Sequence, residues 1–155
     1  MTIEILEQER NLARKNGNSE RLLVLNDIIA KARAKETAGK KKIELTEHLV
    51  NDTLVEYRKM LKDGIKQMPE GHAVRVMYEG QLEILNEFCP PVLEDEVQIE
   101  NLITRVLYEQ NIEVGRKNKG RMMKALMPVL RAEYADMDIA MPIIEFMISQ
   151  AEAAN

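Results

Sequence analysis

Few side chains in this sequence stand where chemistry would need them. His48 and Asp52 lie four residues apart with Glu56 one turn further on, a spacing that presents two or three metal ligands on one helix face. The plainer expectation is an exposed face with a favourable His–Asp contact. Glu79, Glu83 and Glu87 repeat at the same interval, but the Glu-x-x-His pairs that accompany di-metal carboxylate ladders are absent. Cys89 precedes two prolines, and neither His48 nor His72 neighbours it in sequence, so a structural, half-buried thiol is expected rather than a nucleophile. Ser19 and Ser149, the two serines, belong to no G-x-S-x-G elbow, and neither a phosphate-binding G-x-x-x-x-G-K-S/T loop nor a G-x-G-x-x-G fingerprint occurs. The residues thus give no catalytic group, no metal site and no cofactor site.

One segment does carry a pattern. Between Val114 and Ala132 lie Arg116, Lys117, Lys119, Arg121, Lys124 and Arg131, with no acid among them. Five of these fall between 116 and 124, beside Gly115 and Gly120, at the approach to a helix N-terminus. Backbone donors, glycines that permit close approach and clustered cations together suit a phosphate oxygen. Arg116, Lys117, Lys119, Gly120, Arg121 and Lys124 are therefore the candidate nucleic-acid-binding residues. The competing expectation is a solvated basic loop, because the chain as a whole carries a net charge of −4. The aromatic residues are Tyr57, Tyr78, Tyr108, Tyr134, Phe88 and Phe146, most of them expected to face the core. No single-strand stacking platform is expected, and RNA would be read as a folded, phosphate-rich shape. Six of the ten methionines, at 122, 123, 127, 137, 141 and 147, fit either an adaptable partner surface or the filling of a small core, and core is favoured.

The elements that must hold these residues read as helices. Thr46 caps a helix with Val50, Leu54, Tyr57, Leu61, Ile65 and Met68 along one face, stapled by Leu45 and stopped before Pro69. A helix from Asn18 or Ser19 to about Thr37 presents Leu22, Leu25, Ile29 and Ala32, and a shorter one over 3–15 presents Ile3, Ile5, Leu6 and Leu12. Residues 38–45 form a lysine-rich loop. Residues 70–88 mix strand-like alternation (Val74, Val76, Tyr78) with helical spacing (Leu82, Leu85, Phe88), and one helix is expected because a lone strand would have no partner. Cys89-Pro90-Pro91 breaks the chain into an N-terminal helical domain, 1–89, and a small three-helix bundle, 92–155. Glu94 or Asp95 caps the bundle's first helix, carrying Ile99, Leu102, Ile103, Val106 and Leu107. The second spans about 118–132 with Met123, Leu126, Met127 and Leu130 inward and a bend at Pro128. The third starts near Asp138 with Ile143, Ile144, Met147 and Ile148 inward and Pro142 in its first turns. The fold class is all-α.

Composition sets the outer bounds. With 155 residues, 45% apolar and 31% charged, the chain has globular composition and length enough to bury a core without disulfide or metal. One cysteine, no apolar run near the roughly 20 residues that span a bilayer, and acidic residues soon after Leu6 predict a cytoplasmic protein with no membrane role. Residues 1–90 carry 15 basic and 15 acidic side chains, against 7 and 11 in 91–155, so the basic segment sits inside the more acidic part.

Three stretches resemble the YqeY-like family, whose C-terminal half is similar to the tail domain of GatB, a subunit of the glutamine-dependent aminoacyl-tRNA amidotransferase. NSERLLVLNDIIA (18–30) resembles that family's basic-Arg-Leu, Leu-x-x-Ile-x-Ala stretch. LEILNEFCPPVLEDEVQIENLI (82–103) resembles its Leu-x-x-Leu-x-x-Tyr-Leu-Pro segment and the capped helix that follows. GRMMKALMPVL (120–130), with a Met-Pro step inside a short helix, resembles its Gly-Lys-Val-Met-x-Ala-Leu-Met-Pro-Lys-Leu segment. Where the family continues Lys-Leu-Lys-Gly-Arg-Ala-Asp-Gly, this chain keeps Ala135-Asp136 but has lost both glycines, with Val129 and Tyr134 replacing a Lys and an Arg. The resemblance implies two helical domains without catalytic residues of their own and an accessory role in engaging tRNA. A protein-interaction module without an RNA role is the alternative. An amidotransferase-type carbon–nitrogen ligase or hydrolase ranks last, because that chemistry belongs to other parts of the larger machine.

Overall fold

Six of the seven α-helices in this protein begin at a residue whose side chain caps them. The computed structural model describes residues 1–155 as an all-α chain: α1 (Ile3–Lys15), α2 (Ser19–Glu36), α3 (Glu47–Gln67), α4 (Ala73–Asn86), α5 (Glu96–Glu109), a short 3₁₀ turn (Arg116–Asn118), α6 (Lys119–Ala132) and α7 (Met137–Ala153). The Asn18 side chain accepts from the Arg21 N–H at 3.1 Å, Thr46 from Leu49 at 3.3 Å, Asp95 from Gln98 at 2.9 Å and Asp136 from Asp138 at 2.9 Å. Each satisfies a backbone donor that the helix itself leaves unpaired. The first turn of α6 has no side-chain cap; the Asn118 amide is turned away and donates to the Glu113 carbonyl at 2.9 Å. No helix is long and apolar enough to cross a membrane.

The chain divides into two compact units, Met1–Pro90 and Pro91–Asn155. In the first, α2 packs against α1, α3 and α4, and α3 packs along α4. Leu6, Leu25, Ile28, Leu54, Leu61 and Leu85 are fully buried at its centre. Because α2 meets three neighbours, its buried face is wider than its spacing predicts: Val24 and Ile28 join Leu25, Ile29 and Ala32, while Leu22 is only half-buried. On α1 the inward stripe is Ile3, Leu6 and Ala13; Ile5 and Leu12, expected inward, lie exposed on the other side. α4 is shorter than the 70–88 expected. Gly71 takes φ +81° in the turn after Pro69, a conformation open to glycine, and the His72 ring caps the helix by accepting from the Val74 N–H at 3.2 Å. Gly64 gives the α3–α4 packing its closeness: a Cβ there would stand 2.7 Å from the Tyr78 ring.

The second unit buries Ile99, Ile103, Met122, Leu126, Leu130, Ile144 and Ile148 completely, with α5 packed on both α6 and α7. Leu93, ahead of α5, is strapped to the α6–α7 turn: its N–H donates to the Tyr134 carbonyl at 3.0 Å and its carbonyl accepts from Asp136 at 2.8 Å. The inward stripe of α6 is Met122, Leu126 and Leu130, not the expected Met123 and Met127, which flank it half-buried. Leu126 and Leu130 fix the register, and the residue one turn before Leu126 on the same line is Met122. α7 likewise buries Ala140, Ile144 and Ile148, with Ile143 and Met147 at the edges. It begins at Met137, which sets Pro142 in the second turn, among the first turns as expected. Met123, Met137, Met141 and Met147 pack against the core as filler.

Candidate nucleic-acid interface

The inward line of α6 decides where its cations point. Lys117, Arg121 and Lys124 follow one another at spacings of four and three, which sets them along one side of the turn and helix. All three are exposed, and none has an ion-pair partner. Arg121 lies between two open hollows. One, of about 800 Å³, is shared with Lys117 and the end of α5; the other, of about 460 Å³, is shared with Lys124, Gln110 and Pro128. Pro128 contributes no N–H, so no intrahelical donor reaches the Lys124 carbonyl, yet α6 runs unbroken through it. Gly120 is exposed on the same helix, and a Cβ there would meet nothing within 4 Å.

Arg116 and Lys119 go elsewhere. The Arg116 guanidinium reaches Glu145 at 3.1 Å, and the Lys119 ammonium donates to the other oxygen of the same carboxylate. The Arg116 backbone N–H donates to Glu152 at 2.7 Å. Glu145 and Glu152 stand seven residues apart, two turns along one side of α7. The protein's own carboxylates thus occupy the donors and cations on this side, where the sequence pattern had suggested a phosphate. Lys119 first, then Arg116, hold the Glu145 carboxyl below the ordinary carboxylate range by hydrogen bonding and charge. Of the six candidate residues, the structure brings Lys117, Arg121 and Lys124 together with Gly120 nearby, and assigns Arg116 and Lys119 to an internal clasp.

The remaining reactive groups have structural places. His48 lies 3.4 Å from Asp52 on α3, and no three His, Cys, Asp or Glu side chains converge as a metal site. His72 is a helix cap. Cys89 is half-buried, and burial pushes its thiol up to about 11 despite the counteracting charges of Arg58 and Lys62. At neutral pH it is the thiol and not the nucleophilic thiolate.

One residue escaped the sequence reading. Tyr108, one of six aromatics, most of them expected to face the core, is 85% exposed and lines the larger hollow with Lys117 and Arg121. Its position on α5 is opposite the buried line of Ile99, Ile103 and Val106, so helical spacing alone carries the signal. Phe146 is also exposed, on the outer side of α7. No protein-family model matches the chain, and no curated protein matches it either.

Proposed function

We propose that this chain is a non-catalytic, YqeY-like accessory protein of the cytoplasm that binds tRNA through Lys117, Arg121 and Lys124. The observation that carries the reading is the row of three exposed cations, none in an ion pair, along the 3₁₀ turn and α6. Side chains with no internal partner are free to take up phosphates and release their counterions, whereas Arg116 and Lys119 would first have to leave Glu145. The motif resemblance of 18–30, 82–103 and 120–130 supplies tRNA as the polyanion. The protonated thiol of Cys89 supports a binding role over amide chemistry. Titration of tRNA at two salt concentrations tests the reading. The Lys117→Glu/Arg121→Glu/Lys124→Glu variant should bind far more weakly and with a shallower salt dependence; affinity equal to wild type would reject it. Glutamine turnover by the purified chain, lost in Cys89→Ala, would overturn the non-catalytic part.

A second reading, docking of a protein partner by the first unit, is favoured by half-exposed Leu12 and Leu23, which flank the α1–α2 turn, and by exposed Val76 on α4. A partner retained after nuclease treatment and lost in Leu12→Glu/Leu23→Glu would support it in place of RNA.

A further inference from the structure

The hollow at the α5–α6 corner holds more than charge. Its volume is about 800 Å³, and its lining includes Tyr108, Glu109, Asn111, Glu113, Lys117 and Arg121. The two carboxylates balance the two cations, so the hollow offers a bare phosphate little beyond what the row of cations already offers. It adds an aromatic ring. Tyr108 is the most exposed large apolar side chain in the protein, and it lines the same hollow as Lys117 and Arg121, neither of which forms an ion pair. An exposed ring with adjacent lysine and arginine suits the flat face of a nucleobase whose phosphates lie alongside. Glu109, Glu113 and the Asn111 carbonyl oxygen supply acceptors for the amino edge of such a base, which an unpaired base presents and a stacked, paired one hides.

Resting on the proposed RNA reading, we infer that this hollow is a nucleotide subsite: one unpaired base of the bound RNA stacks on Tyr108 while its flanking phosphates meet Lys117 and Arg121. The row of cations along the 3₁₀ turn and α6 then sets affinity for any RNA, and Tyr108 sets the preference for RNA with an unstacked base. Replacing Tyr108 leaves the fold intact, because its side chain buries almost nothing.

Anisotropy titrations of the full chain separate the two layers, using an RNA hairpin with an unpaired loop and a blunt RNA duplex of equal phosphate count at one salt concentration. Tyr108→Ala should weaken hairpin binding by about 5- to 150-fold, the range of one lost base–aromatic stack, and leave duplex binding unchanged. Tyr108→Phe should retain hairpin affinity, since the ring and not the hydroxyl does the stacking. Unchanged hairpin affinity in Tyr108→Ala, or an equal loss on both RNAs, overturns the subsite. If the Lys117→Glu/Arg121→Glu/Lys124→Glu variant loses both RNAs while Tyr108→Ala loses neither, the subsite fails and the RNA reading stands. If wild type binds neither RNA, both fail.

Discussion

Two sides of one short segment, 116–124, meet opposite fates. On one side Arg116 and Lys119 share the carboxylate of Glu145, and Glu152 takes the backbone donor at Arg116; on the other, Lys117, Arg121 and Lys124 are exposed and form no ion pair. Composition treats all five cations alike. Helical periodicity separates them, because Met122, Leu126 and Leu130 anchor α6 and leave the two groups of cations on different sides. A charge cluster in sequence is thus not a charge cluster in space. What distinguishes a binding group from a structural one here is whether the neighbouring helix already answers it.

The contrast can be broken at its root by removing the anchor. Leu126 is fully buried, and Leu126→Ala should destabilise the second unit by about 2–5 kcal/mol, read from chemical denaturation. With the register of α6 loosened, the distinction between the two sides should fade, and RNA binding should weaken along with the fold.

A gentler change works from the other direction. Glu145→Gln releases Arg116 and Lys119 from their shared carboxylate. If those two cations then reach phosphates, the salt dependence of tRNA binding should steepen by roughly 1–2 log units per log unit of salt, and affinity at low salt should rise. A variant indistinguishable from wild type would mean that the clasp does not compete with RNA.

The smallest effect is a pH dependence of the clasp. The Glu145 carboxyl is held below its ordinary value of 4.5, so it binds protons less readily folded than unfolded. Its contribution to stability is fully present above that ordinary value and is lost as pH falls through the lower folded one. Carboxyl-carbon NMR should place the Glu145 midpoint below the ordinary range, and Lys119→Gln should move it upward. A midpoint that stays put in that variant would mean the ion pair is not its cause.

Most of the architecture is legible in the sequence because it is written locally. Thr46, Asn18 and Asp95 announce helix starts, and Val50, Leu54, Tyr57 and Leu61 repeat with a period that only one face satisfies. The register of α6 is harder to read: Met122, Met123 and Met127 are chemically the same, so apolarity alone cannot choose among them, and only the line through Leu126 and Leu130 does. The clasp is illegible for a different reason. Glu145 and Glu152 lie 26 to 36 residues from the cations and donor they satisfy, and nothing local announces that α7 returns past the 116–119 turn. Tyr108 was within reach, since its spacing sets it opposite Ile99, Ile103 and Val106. An aromatic residue next to a buried leucine reads as core until the helical phase is followed around.

The sharpest test sets the two sides against each other by neutralisation instead of charge reversal. The salt dependence of tRNA affinity should be measured for Lys117→Gln/Arg121→Gln/Lys124→Gln and for Arg116→Gln/Lys119→Gln. The triple variant should lose about 2–3 from the slope of log affinity against log salt, at roughly 0.7–0.9 per phosphate contact removed, while the double variant keeps the wild-type slope. Equal losses in the two variants, or a loss confined to the double, would contradict the account.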